Sequence, residues 1–79
     1  MTDVKIDRTL DARGSACPGP LMELIKGVKS AEVGEVLELL STEKGTTVDA
    51  PAWIKKVGQE FISMEEMGGY WRIIVKKIK

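Results

Sequence analysis

The chain has one cysteine and no histidine, and the cysteine sits in an unusual place. Cys17 lies in Gly14-Ser15-Ala16-Cys17-Pro18-Gly19-Pro20, after a polar loop and directly before an apolar helical pattern. A thiol can act as nucleophile, metal ligand or redox group, and the neighbouring residues decide which. Without histidine, neither a Cys-His nor a Ser-His catalytic pair can form within one chain. A zinc site of cysteines and histidines is excluded too, and no clustered Asp/Glu motif points to another metal. One cysteine cannot make a Cys-x-x-Cys dithiol. Gly14 and Gly19 have P-loop spacing, but Pro20 and Leu21 stand where the phosphate-binding Lys-Ser/Thr pair would be. The chemistry left needs only a nucleophilic sulfur and an external partner. A persulfide, a reversible cap on a thiol, fits that description.

A lone cysteine in a small domain commonly packs as a small hydrophobe. Cys17 does not fall on the apolar stripe of the helix that follows, which is Leu21, Leu24, Ile25 and Val28 at i, i+3, i+4, i+7. With Pro18 at the first helical position, Cys17 is the N-cap. Pro20 removes another N–H, so of the usual capping donors only that of Gly19 remains. The helix macrodipole then favours the thiolate modestly, and Arg13 upstream is a candidate second cation.

Elements on either side must hold this loop. Val4, Ile6 and Leu10 share one face of a period-2 segment, giving a first strand over residues 4–10 and a loop from Asp11 to Ala16. The first helix has Glu23, Lys26 and Ser30 on its outer face and fades before Gly34. Residues 35–41, EVLELLS, read as a short central strand. TEKGTT is a turn, with Thr47 or Asp49 as helix cap; an Asp49 cap leaves Pro51 in the first turn, where its missing N–H is harmless. Ala50, Trp53, Ile54 and Val57 form the second stripe, and Gly58 is the stop. QEFISMEEM and YWRIIVKKI flank Gly68-Gly69 as a hairpin, with Trp71, Ile73 and Val75 on one face. The expected fold is α+β: one domain over residues 1–79, order β-α-β-α-β-β. It is a two-layer α/β sandwich with both helices on one face of a mixed four-stranded sheet and a right-handed first crossover.

At 79 residues the core is small. The 12 basic and 12 acidic residues cancel, which disfavours direct nucleic-acid binding and strong membrane attachment. No apolar run is long enough for a membrane span, the N-terminus does not read as a signal peptide, and a single thiol suits the reducing cytoplasm. Met22 flanks the first stripe, as a core-edge residue or a docking contact. Trp53 and Trp71 read as packing, and Lys76, Lys77 and Lys79 as a solvated strand end.

LDARGSACPGPLMELIK resembles the Leu-Asp-x-x-Gly-x-x-Cys-Pro-x-Pro signature of TusA-like sulfur carrier proteins, also called the SirA family. TTVDAPAW resembles the family's Thr-Thr-x-Asp-x-Pro segment, so the likeness spans nearly the whole chain. The resemblance implies a fold like the C-terminal domain of translation initiation factor three. It implies that Cys17 accepts a sulfane sulfur as a persulfide from a cysteine desulfurase, a rhodanese or a DsrE-type protein. The sulfur then passes to an acceptor protein, for tRNA thiolation, molybdenum cofactor assembly or sulfur metabolism. Such a protein is a carrier between enzymes, with no cofactor of its own. Gly14, Pro18 and Pro20 match motif positions. Gly19 fills the variable position, often charged in the family, and Thr42-Glu43 replaces an acidic pair, retaining Glu43 as its one acid. Arg13, Met22 and Glu43 are the candidate partner contacts. Two other readings are an RNA-binding or regulatory module, which lacks a Gly-x-x-Gly clamp or stacking aromatics, and a single-thiol redox sensor, which lacks a resolving cysteine.

Overall fold

The computed structural model describes residues 5–14 and 19–79. Six elements follow in order: β1 (Arg8–Ala12), α1 (Gly19–Ser30), β2 (Val36–Ser41), α2 (Thr46–Lys56), β3 (Glu60–Met67) and β4 (Tyr70–Lys76). The sheet order is β1-β2-β4-β3, with β1 and β2 parallel and the other pairings antiparallel. This is the expected mixed sheet, and β2 is central as its apolar run requires. Leu37 and Leu39 of β2 alternate onto the same face as Ile73 and Val75 of β4. Leu24 and Val28 of α1 and Ala50 and Ile54 of α2 close over them as one core.

The first strand lies later than the period-2 reading placed it. Arg8 pairs with Leu37 and Ala12 with Ser41, so Asp11 and Ala12 belong to β1 and not to the loop. Val4 is outside the described residues, and Ile6 is half-buried ahead of the strand. The apolar signal misled because the strand's inner face carries one cation. Arg8 reaches the sheet's lower end, where its Nε donates to Glu35 Oε1 at 3.1 Å and its Nη2 to the Ser30 carbonyl at 3.3 Å. The outer-face Asp11 reads in sequence as the start of a loop while remaining a solvated strand residue.

In α1 the expected stripe turns inward, with Leu24 and Val28 buried and Leu21 and Ile25 half-buried. Gly27 is also buried, and a Cβ there would come within 2.6 Å of the Leu10 side chain. A bare backbone at this position lets α1 approach β1 closely.

The start of α2 differs from the sequence reading. Gly45 occupies the N-cap position without a side-chain cap, and both Thr47 and Asp49 lie inside the helix. The turn winds up early: the N–H groups of Thr46 and Thr47 donate to the carbonyls of Glu43 and Lys44 at 3.1 and 3.0 Å. Pro51 therefore sits within the helix, not in its first turn, and leaves the Thr47 carbonyl without its usual donor. The other end is as expected. Gly58 has φ +79°, its N–H donates to Lys55 at 3.2 Å, and the Gln59 N–H reaches the Ile54 carbonyl at 3.0 Å. These two bonds form a Schellman closure.

The Gly68-Gly69 hairpin joins Met67 to its partner Tyr70, and a bulge between Phe61 and Ser63 bends the edge strand β3. Among the described residues, no helix is long and apolar enough to cross a membrane.

Candidate functional site

Parallel pairing sets the C-terminal ends of β1 and β2 side by side, so the loops leaving them meet. Ligand and catalytic sites of open sheets commonly form beyond such strand ends. The loop after β1 carries the cysteine motif. Cys17 and Pro18, with Ser15 and Ala16, lie outside the described residues, and so does the expectation of Cys17 as N-cap. The residues on either side are well defined by their contacts.

On the strand side, Asp11 gathers Arg13. The Arg13 backbone N–H donates to Asp11 Oδ1 at 3.1 Å, an Asx-type turn, and its Nε and Nη2 donate to Oδ1 and Oδ2, both at 2.9 Å. The guanidinium carbon also lies 5.0 Å from the centroid of the Tyr70 ring, within cation–π range. The Arg13 side-chain hydrogen bonds, then its backbone N–H, hold the Asp11 carboxyl down from 3.8 to about 2. The Asp11 hydrogen bonds in turn push Arg13 up. Arg13, considered from sequence as a free cation for the thiolate, is instead engaged by a carboxylate and an aromatic ring.

Gly14 follows with φ +86°, a left-handed conformation that favours glycine. Its N–H donates to Thr42 Oγ1 at 2.9 Å, across to the loop after β2. That second loop is itself braced. Ser41 and Thr46, exposed by 0% and 3%, share a hydroxyl hydrogen bond of 2.9 Å, and Ser41 Oγ accepts the Glu43 N–H at 3.1 Å. On the helix side, Gly19 is half-buried and Pro20 fully buried, which seats the first turn of α1 in the core. The motif segment thus leaves one fixed point at Gly14 and enters another at Pro20.

Of the three candidate partner contacts, Arg13 and Glu43 adjoin the bonded pair Gly14 and Thr42, and Met22 lies on the first helix. Arg13 is tied to the open sheet face, Glu43 is half-buried in the β2–α2 turn, and Met22 projects from α1 with 57% exposure. That exposure removes the core-edge reading of Met22. Sequence reasoning gave Thr42 no role beyond replacing an acid, and it missed Ser41, Thr46 and Tyr70. The signal for Thr42 was topological: parallel strands one crossover apart end together, so a hydroxyl just past β2 can reach a backbone N–H just past β1. Tyr70 carried no such signal, because its approach depends on the order in which β4 enters the sheet.

Residues 8–77 match the family model described as Sulfurtransferase TusA. A protein of Archaeoglobus fulgidus with a provisional sulfur-carrier name is 54% identical over 70 residues, 89% of this chain and 96% of its own length. The sulfur carrier protein TusA of Pseudomonas entomophila is 39% identical over 74 residues, covering 90% of this chain and 92% of that protein. A SirA-like protein of Desulfitobacterium hafniense has a crystal structure of the same fold. It superposes with a TM-score of 0.77 at 20% identity, over 91% of this chain and 99% of the other.

Proposed function

The chain belongs to the TusA sulfurtransferase family, and from that premise we propose that it is a sulfur carrier that holds sulfane sulfur as a persulfide on Cys17. One observation supports this reading above the rest. The loop bearing the only thiol starts and ends on fixed points, the Gly14 N–H on Thr42 Oγ1 at 2.9 Å and the buried Pro20, in a chain without histidine. A carrier needs a nucleophilic thiol on a braced scaffold and no base of its own.

The exchange is balanced without any added oxidant. The Cys17 thiolate attacks the terminal sulfur of a donor protein's persulfide; a new S–S bond forms, the donor's S–S bond breaks, and the donor thiolate leaves. An acceptor nucleophile then attacks the same terminal sulfur and restores the Cys17 thiolate. The donor is a cysteine desulfurase, a rhodanese or a DsrE-type protein, and the acceptor belongs to tRNA thiolation, molybdenum cofactor assembly or sulfur metabolism. Met22 and Glu43 contact these partners, while Arg13 acts through the loop's starting conformation. The test is a two-stage transfer with a persulfidated desulfurase. The native chain takes up sulfur and yields it to an acceptor thiol, whereas Cys17→Ser, still folded, does neither. Transfer by the Cys17→Ser chain would overturn the assignment.

A further inference from the structure

The end of the molecule opposite the motif loop has a different character. Helix α1 packs on β1 and β2 and α2 on β3 and β4, both running opposite to β2, so their C-terminal turns finish toward the N-terminal end of β2 and the C-terminal end of β4. An open groove of about 300 Å³ lies between them. Its floor is apolar, formed by Val28, Trp53 and Val57, which are buried, half-buried and 36% exposed. Its rim is formed by Lys29, Lys77 and Lys79, and no Asp or Glu side chain lines it.

The chain's own groups do not use these charges fully. Lys77 Nζ donates to the Ala31 carbonyl at 2.8 Å, which fixes its place on the rim. Gln59 Oε1 accepts the backbone N–H groups of Ile78 and Lys79 at 2.8 and 3.2 Å, which holds the last residues beside the groove. The Ile54 and Lys55 carbonyls at the end of α2 are closed by backbone donors and need no lysine. The ion pairs among the described residues all use arginine, so Lys29 and Lys79 take part in none. Glu32, Glu35 and Glu60 lie at this end but outside the groove, and Glu35 is engaged by Arg8 and by the Glu32 N–H. A chain that is neutral overall thus presents a locally positive rim around an apolar floor.

We propose that this groove docks an acidic segment of a partner protein. One aromatic or branched apolar side chain enters against Trp53, and flanking carboxylates reach Lys29 and Lys79. Complementary charge at a rim with an apolar centre is the ordinary anatomy of a protein–protein contact. The groove lies open on one side, unlike the enclosed sites that bury most of a small ligand. Trp53 is half-buried in the floor and packs against the core. A six-residue strand separates the groove from the motif loop, roughly 20 Å at ordinary strand rise. An occupant therefore sits away from Gly14 and Thr42, and the proposal stands whether or not Cys17 carries sulfur.

The test is an NMR titration of the ¹⁵N-labelled full chain with the peptide acetyl-DEFED-amide. The expected perturbations fall on the amides of Val28, Lys29, Val57 and Gln59 and on the Trp53 indole N–H, with the Trp71 indole unmoved. The chain carrying both Lys29→Glu and Lys79→Glu, substitutions at exposed side chains, keeps its dispersed spectrum and binds ~10-fold more weakly. A peptide with serine in place of phenylalanine also binds more weakly. Absence of binding, perturbations elsewhere, or equal affinity in the charge-reversed chain would overturn the proposal. So would an equal response to a thymidine oligonucleotide, which marks a polyanion patch, or shifts that depend on protein concentration alone, which mark self-association.

Discussion

At the scale of single residues, the site is organised by groups that do no chemistry themselves. Asp11 has the clearest signature. Its hydrogen bonds from Arg13 depress its pKa from 3.8 to about 2. A depressed carboxylate pKa means that the Asp11–Arg13 tether is fully present above the ordinary value and is lost as pH falls from about 4 toward 2. A carboxyl-detected NMR titration should place the Asp11 midpoint near 2, moving up toward 3.8 in Arg13→Ala. A midpoint unaffected by that substitution would contradict the tether. Thr42 gives a second check. Thr42→Val removes the acceptor for the Gly14 N–H, so amide exchange at Gly14 should accelerate about 10-fold or more while core amides stay protected. Thr42→Ser should restore slow exchange.

At the scale of elements, helix ends and close approaches carry much of the specificity. Gly58 closes α2 in a left-handed conformation, φ +79°. Gly58→Ala should therefore lower stability by about 1–2 kcal/mol, read from urea unfolding with an unchanged m-value. The elements themselves were largely legible in the sequence, because both helix stripes, the Gly58 stop and the Gly68-Gly69 hairpin are local patterns. What was not legible depended on tertiary contacts. β1 lies at residues 8–12 because β2 pairs there, and Arg8 on its inner face hid this. α2 begins at Thr46 because the buried Ser41–Thr46 hydroxyl pair draws the turn inward, which a capping rule for Thr47 or Asp49 does not contain. Of the proposed site, the motif is a matter of residue type and spacing, and Cys17 and Pro18 lie outside the described residues. The hydrogen bond from Gly14 to Thr42 and the Arg13–Tyr70 contact join residues distant in sequence, so only the fold reveals them.

At the scale of the whole molecule, a 79-residue chain has one small core and little stability in reserve. Leu39 is 0% exposed at its centre, and Leu39→Ala should cost about 2–5 kcal/mol, a large part of the total, read from the unfolding midpoint. The two ends of that core are differentiated. One carries Gly14 and Pro20, the fixed points on either side of the motif, and the other holds the lysine-rimmed groove. The central claim concerns the first end. Intact-mass spectrometry of the folded chain after exposure to polysulfide, with Cys17→Ser as control, tests it most directly. The expected result is a gain of one sulfur atom by the native chain, reversed by reductant and absent from the mutant. A native chain that stays unmodified, or a mutant that gains the same mass, would contradict the assignment of Cys17 as the sulfur-bearing residue.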